Sequence, residues 1–343
     1  MLIFVTRRLL MLPLVFVGVT LAIVLLMQLL TPYQRAAAYV RSEQQIRQID
    51  SIIEQYGLED PWYMQYGRWI GEVVRGNMGY SRTTSEPVLT TLVKRFPVTL
   101  ELAFFAIVPV IGVGIAMGTA AALNRDKFID QVARVMSIVG WSLPTFVLGI
   151  WLLVIFYGWL GILQPGRVST QYLVELAGSG AGFRHYTRML TFDALLNGRF
   201  DVAWDAFKHL ILPVITLSVV SSAQIMRVMR SSLLDALGRD YVRTARAKGL
   251  PERVVTRKHA RRNALIPVIT LSGFVLIGLV NGVVITETIF NYPGLGQWAA
   301  AAAVNLDYAS VLGFAVFTAI MVVFANLLVD VLYGIVDPRI RYD

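Results

Sequence analysis

Residues 240–270 read DYVRTARAKGLPERVVTRKHARRNALIPVIT. Between Arg230 and Arg262 the chain holds ten Lys or Arg and three acids, while the sequence on either side is greasy. Local chemistry gives the stretch a shape. Asp240 is placed to cap a short helix, and Tyr241, Val242, Ala245 and Ala247 give that helix a face of mostly small residues. Arg246 and Lys248 fall in its last turn, where cations suit the negative helix end. Gly249 stands where a left-handed residue closes a helix. Pro251 then opens a second helix, and Arg253, Arg257, Lys258, Arg261 and Arg262 follow before Pro267, which is expected to open the next apolar span. Helix, glycine stop, helix is more than a charge signal needs. The alanines and glycine admit close approach of another surface, and the cations suit anionic headgroups or an acidic partner groove.

Composition says where such a loop sits. The chain has 343 residues, of which 56% are hydrophobic and only 15% charged, with mean hydropathy +0.61. A soluble domain carries about 25% charged residues. The shortfall points to a bilayer. With no cysteine, disulfides, thiolate metal sites and cysteine nucleophiles are excluded. The net charge of +9 fits nucleic acid or the loops of a membrane protein, and position separates the two.

A spanning helix needs roughly 20 apolar residues. Six segments qualify: Leu9–Leu30, Pro97–Leu123, Val135–Leu163, Leu210–Met229, Ile266–Phe290 and Ser310–Val336. The first follows Arg7 and Arg8 but exceeds a leader's apolar core, and it is read as a span. With the N-terminus inside, the inner segments hold 18 Lys or Arg and the much longer outer segments 13. Basic density therefore puts both termini and the 240–270 loop in the cytoplasm. The expected fold is an all-α polytopic bundle of six transmembrane helices. Residues 1–30 are the N-terminus and first span, 31–96 an outer segment, and 97–343 the core with the 230–265 loop.

The outer segment has its own pattern. Asp60-Pro61 marks a helix start, and Trp62, Tyr66, Trp69, Ile70 and Val73 then recur on one face. This predicts an amphipathic helix at the outer interface or packed on the spans. Residues 164–208 show no usable period, and Gly178–Gly182 marks a turn or flexible stretch.

The 240–270 segment resembles the cytoplasmic loop, often called the EAA loop, of membrane subunits of bacterial ABC importers, most closely the oligopeptide, dipeptide and nickel group. Similar stretches are RRLL (7–10), GNMGYSRTTSEPV (76–88), RFPVTLELA (95–103), SLPTF (142–146), TETIFNYPGLGQW (286–298) and NLLVDVLYGIVDPRIRY (326–342). The resemblance covers nearly the whole chain, and the long first outer segment looks like that of the first of two permeases. Arg243-Thr244-Ala245 replaces the generic Glu-Ala-Ala, as is usual in the peptide group. LLTPYQRAAAY (29–39) departs from the family's Pro-Gly-Asp-Pro-like turn, so the outer mouth of the first span is expected to differ.

The resemblance implies a type I importer permease in the bacterial inner membrane. Its partners would be a homologous second permease, two cytoplasmic ATPase subunits and an extracytoplasmic substrate-binding protein. The docking element would be Arg243, Thr244, Ala245, Arg246, Ala247, Lys248 and Gly249. Peptides are the expected cargo; glutathione, nickel chelates and sugars fit the same architecture. The chain is not expected to be an enzyme or to bind a cofactor. It has no G-x-x-x-x-G-K-[ST], since none of its five lysines follows a glycine, so ATP and Mg²⁺ belong to partner subunits.

Intramembrane polar groups are costly and mark cavities or partners. Asn281, Glu287 and Glu101 are the pathway candidates; Gln28, Gln224, Asn326 and Asp330 also lie in or near spans. For each, interhelical hydrogen bonding is the competing explanation. His185, His209 and His259 show no metal spacing. Two other classes stand beside the importer. A stand-alone secondary transporter would use Glu101, Glu287 or Asp330 as ion sites. A membrane-tethered nucleic-acid binder would need aromatics among the cations, and Tyr241 is the only one in the loop.

Overall fold

The computed structural model describes residues 2–36, 39–40, 45, 47–178, 182–280 and 283–336. They form an all-α bundle: α1 (Leu2–Met27), α2 (Pro32–Ala36), α3 (Ile49–Tyr56), α4 (Trp62–Val74), α5 (Val88–Leu123), α6 (Phe128–Ser142), α7 (Thr145–Leu153), α8 (Thr170–Ala177), α9 (Leu190–Leu196), α10 (Phe200–Leu237), α11 (Asp240–Ala247), α12 (Glu252–Val254), α13 (Arg261–Val280), α14 (Val284–Ile289), α15 (Leu295–Val304) and α16 (Tyr308–Val336). One two-stranded hairpin, β1 (Tyr80–Ser81) with β2 (Glu86–Pro87), precedes α5. Among the described residues four helices are long and apolar enough to cross a membrane: α5, α10, the continuous run Glu252–Val280, and α16. The bent pair α6 and α7, extended to Trp159, supplies a fifth. In α1 the described apolar run is the shorter Phe16–Met27.

Two expected spans take a different form. Val135–Leu163 is not one straight helix: α6 and the helix that follows it meet at 98°. Leu143 is extended at the junction (φ −80°, ψ 118°) and Pro144 starts the second arm. Proline pushes its predecessor out of the helical region and offers no N–H to the turn before it. Ile266–Phe290 is likewise divided. Its helix starts far earlier, at Glu252, passes through Pro267 and is described as far as Val280, while Val283 is non-helical (φ −93°, ψ 68°) and starts α14. Pro267 therefore lies inside the span and does not open it. Pro109 and Pro213 also sit within unbroken helices, as membrane helices allow when neighbours satisfy the backbone.

The centre of the bundle is α10. Helix α5 meets it through Gly114 and Gly118, where an added Cβ would stand 2.6 Å from Ile225 Cγ2 and 2.6 Å from the Met226 carbonyl oxygen respectively. Gly140 brings α6 to the same helix, with 3.1 Å from a built Cβ to the Val219 carbonyl. Lipid removes the hydrophobic drive between helices, so close van der Waals packing across small residues holds them. A charged pair adds to it. Asp130 of α6 is fully buried and accepts from Arg230 of α10 at Nε (2.5 Å) and Nη2 (2.8 Å), and from Arg134 at 3.0 Å.

The described parts of the 31–96 and 164–208 segments hold more structure than their patterns suggested. Helix α4 forms as expected, but Pro61 occupies the cap position and Asp60 makes no side-chain cap. Asp60 pairs instead with Arg68 at 2.6 Å. Tyr66 reaches Thr20 of α1 at 3.0 Å and Val73 is buried, while Trp62 faces outward. Residues 164–208, read as featureless, contain α8 and α9. Asp193 gathers the Thr187 and Arg188 amides, and Asp205 the Ser169 amide and hydroxyl. Of the glycine-rich patch, residues 179–181 lie outside the described residues.

Replacing Gly118 by Val forces α5 from α10. An overpacked core contact of this kind costs about 1–3 kcal/mol. The expected result is a lower unfolding temperature in detergent, with Gly112→Val, where nothing lies within 4 Å of the built Cβ, close to wild type. Equal stability of the two variants contradicts the packing described.

Candidate functional site

The basic loop folds as a bracket on one end of the bundle. Arg239, not Asp240, takes the extended cap position (φ −78°, ψ 152°), and Asp240 is the first helical residue. An acid there still suits the positive helix end, and its carbonyl accepts the Thr244 hydroxyl at 2.9 Å. The far end closes as the glycine foretold. Gly249 has φ +73°, its N–H donates to the Arg246 carbonyl at 2.9 Å, and the Leu250 N–H reaches back to the Ala245 carbonyl at 3.4 Å. Those two bonds are the Schellman pattern that terminates a helix. Nothing lies within 4 Å of a Cβ built on Gly249, so the requirement for glycine is conformational.

Helix α11 divides its residues between two faces. Val242 and Ala245 are buried. They join Met229, Leu233 and Ala236 of α10, Val255 and Ala260 of the following segment, and Ala264 and Val268 of α13 in one cluster, which also takes in Val110 and Ala122 of α5. Arg243, Thr244, Arg246, Ala247, Lys248 and Gly249 are all exposed. Ala245 is thus the one expected docking residue that faces inward. Arg246 is engaged within the loop, donating through Nε (3.1 Å) and Nη2 (2.6 Å) to the Glu252 carboxylate. That forked pair ties α11 to the start of the next helix across the Gly249 turn. Arg243 makes only a contact at 3.5 Å with Asp240, itself almost fully exposed. From Val255 to Ala260 the helix widens to i→i+5 hydrogen bonds, which brings Val255 and Ala260 to the cluster and leaves Arg257 and Lys258 outside.

The pathway candidates lie elsewhere. Glu101 and Glu287 are 1% and 0% exposed, so neither lines an open surface of this chain. Glu101 accepts from the Thr191 amide at 2.6 Å, Arg167 Nη2 at 2.9 Å and the Tyr292 hydroxyl at 3.0 Å. Glu287 accepts from the Thr99 hydroxyl at 2.7 Å and the Gln297 amide at 2.9 Å. Gly294 admits it, since a Cβ there would stand 2.4 Å from the Glu287 carboxyl carbon, and Gly296 lets α15 approach the Val284 backbone, 2.7 Å from a built Cβ. The two acids therefore staple the N-terminal half of α5 to the turn between α14 and α15. Asn281 lies outside the described residues, as do the side chains of Asn326 and Asp330. His209 contacts the Asp205 carbonyl at 2.8 Å and His185 sits 3.5 Å from Asp193. Among the described residues no group of His, Asp and Glu is arranged to hold a metal ion.

Sequence reasoning missed two of the anchoring acids. Asp130 was passed over, and nothing local pairs it with a residue 100 positions away. Asp307 also went unnoticed. It precedes α16 and gathers the Ser81 hydroxyl, the Thr83 amide and hydroxyl, and the Ser310 hydroxyl on Oδ2, and the Ser310 amide on Oδ1. A D-x-x-S at the head of an apolar run is a capping signal that was there to be read.

These features define a class. The chain belongs to the family of binding-protein-dependent transport system inner membrane components, whose model matches residues 112–342; the companion N-terminal membrane component matches residues 1–103. It is a multi-pass inner-membrane permease subunit of an ABC importer, and its family role is transport rather than catalysis. Among individual relatives, it is 41% identical over 292 residues to the probable D,D-dipeptide transport system permease protein DdpB of Escherichia coli K12, covering 85% of this chain and 84% of that protein. It is 38% identical to the di/tripeptide transport system permease protein DppB of Pseudomonas aeruginosa, over 100% of this chain and 99% of that one. The oligopeptide transport system permease protein AppB of Bacillus subtilis is 36% identical over 85% of each.

Burial pushes the Asp307 carboxyl up, but the hydrogen bonds from Ser310 and Thr83 outweigh it and hold it below the ordinary carboxylate range. A depressed folded-state pKa stabilises above the unfolded value, about 3.9, and the contribution is lost as pH falls through the folded value. Amide exchange in the 80–87 hairpin should therefore stay slow from neutral pH down to about 4. Asp307→Ala should raise it at pH 7 by tenfold or more, the effect of roughly 1.4 kcal/mol. Unchanged protection in that variant contradicts the anchoring role.

Proposed function

We propose that this chain forms half of the translocation pathway of a peptide importer and receives the ATPase stroke through Arg243–Gly249. The observation that carries the proposal is the two-faced bracket. Its outward face is small and basic, and its inward face is set in the apolar cluster shared by α5, α10 and α13. A force on α11 reaches three long helices at once, which suits rigid-body coupling between distant sites. The relatives' names, covering D,D-dipeptides, di/tripeptides and oligopeptides, support di- or oligopeptides as cargo.

In this proposal the chain has six spans with both termini cytoplasmic. Helix α1 is the first span, the bent α6–α7 pair the third, and the Glu252–Val280 run the fifth. Residues 31–96 form an outer cap on the 97–343 core. The chain pairs with a homologous second permease, two ATPase subunits carrying ATP and Mg²⁺, and an outer substrate-binding protein. Glu101 and Glu287 take part as the brace that keeps the outer mouth in shape. Arg243, Ala247 and Lys248 meet the ATPase, while Arg246 shapes the bracket through Glu252.

Two experiments test this. The chain has no cysteine, so the single thiol of an Arg243→Cys variant should crosslink to cysteines lining the ATPase groove; no crosslink in an intact complex rejects the docking face. Gly249→Val imposes about 1–3 kcal/mol of backbone strain at φ +73°. Peptide uptake should fall about tenfold or more, with ATP hydrolysis uncoupled from transport, whereas Gly249→Asn, which tolerates the left-handed region, retains most of it. Wild-type uptake in the valine variant overturns the proposal.

A further inference from the structure

A second basic feature lies deeper than the coupling bracket. Between α6 and α10 is a cavity of about 240 Å³ lined by Arg134, Ser137, Ile138, Met226, Arg227 and Arg230. Arg230 and Arg134 both donate to the buried Asp130, and Arg134 also reaches Asp126, which Arg125 approaches at 3.3 Å. Three arginines thus share two carboxylates, and Arg227 beside them brings the surplus to two positive charges. Arg227 is exposed and has no carboxylate within ion-pair distance among the described residues. Its guanidinium sits 6.0 Å from the ring centre of Trp141, which is half-exposed. Alongside, Val135, Ile138 and Val139 present an exposed apolar strip on α6.

We propose that this cavity holds the phosphate of an anionic phospholipid in the leaflet on the coupling-loop side, with Arg227 and Arg134 as its principal donors. Depth selects this occupant over a soluble partner. Arg227 lies ten residues before the end of α10 at Leu237, about 15 Å along the helix axis, and α11 lies beyond that end. On the docking proposed for α11, that level suits a headgroup rather than the ATPase. Basic pockets between spans on the cytoplasmic side select anionic headgroups, and tryptophan favours the same depth. The apolar strip on α6 gives the acyl chains a surface. Arg230 is committed to Asp130 through two bonds and contributes field more than contact. The lipid would thereby bridge α6 and α10 next to the charged pair that already joins them.

The test is native mass spectrometry of the assembled transporter after exchange into nanodiscs of phosphatidylcholine with phosphatidylglycerol. The wild type should retain phosphatidylglycerol. Arg227→Gln and Arg134→Gln should each lower retention roughly fivefold, the worth of one basic contact at a membrane surface, while Arg227→Lys keeps most of it. Arg253→Gln, which changes an exposed cation outside the cavity, should have no effect. Arg227 makes no ion pair with the described residues, so its loss leaves the α6–α10 lock intact, and an unchanged unfolding temperature confirms that. Equal retention in Arg227→Gln and wild type overturns the proposal, as does an equal loss in Arg253→Gln. Displacement of the lipid by inorganic phosphate, or crosslinking of a Trp141→Cys variant to a partner subunit, overturns it too, because each makes the occupant something other than lipid.

Discussion

The approach of α5 to α10 at Gly114 and Gly118 is the contact on which the rest of the molecule depends. Inside a bilayer, apolar side chains gain nothing by leaving lipid for protein, so association rests on how closely two backbones fit. These glycines let α5 lie against the carbonyl of Met226 and the side chains of Ile225 and Met229. That places the coupling-loop ends of the two longest spans side by side and gives the following segment a floor to pack on. Val242 and Ala245 settle into that floor, and Ala260 and Ala264 close it from the α13 side. The Asp130–Arg230 pair then fixes α6 to the same end. Such a pair adds orientation more than net stability, yet removing one partner strands a buried charge.

The opposite end is built differently. Where the coupling-loop end uses small apolar residues, the far end uses carboxylates with their hydrogen-bonding capacity engaged. Glu287 binds the first amides of α15, Glu101 joins three separate segments, and Asp307 ties the hairpin to α16. Buried carboxylates are tolerable only when so bonded. Helix starts and the loops at that end thus become part of one frame with the spans. A frame held at both ends suits a subunit that moves as a body against its neighbours.

Much of this was legible where the signal is local. Gly249 followed by Leu250-Pro251 announces a helix stop and restart, and the structure places a left-handed residue there. The periodic aromatics after Pro61 foretold α4, although Trp62 turned out to face away. Other features depend on distant partners. Pro144 was visible, but not that its two arms would stand at 98°, since the second arm is placed by packing of Gly149 against Ile289 and Phe290. Asp130 and Arg230 meet only because α6 and α10 do. Glu101 and Glu287 stood out because acids in apolar stretches usually mark function. Their donors came from residues as far as 191 positions away, beyond the reach of a pattern.

If α11 is fixed to the bundle as described, it does not move relative to the neighbouring ends of the spans during the ATPase stroke proposed above. Spin labels at Thr244 and Val135, both exposed, on the otherwise cysteine-free chain measure this directly in the assembled transporter. The distance between them should be the same in nucleotide-free and ATP-trapped states, while distances to the second permease change. A shift between Thr244 and Val135 of about one helical turn, roughly 5 Å, would show that the bracket flexes on its own and contradict the account.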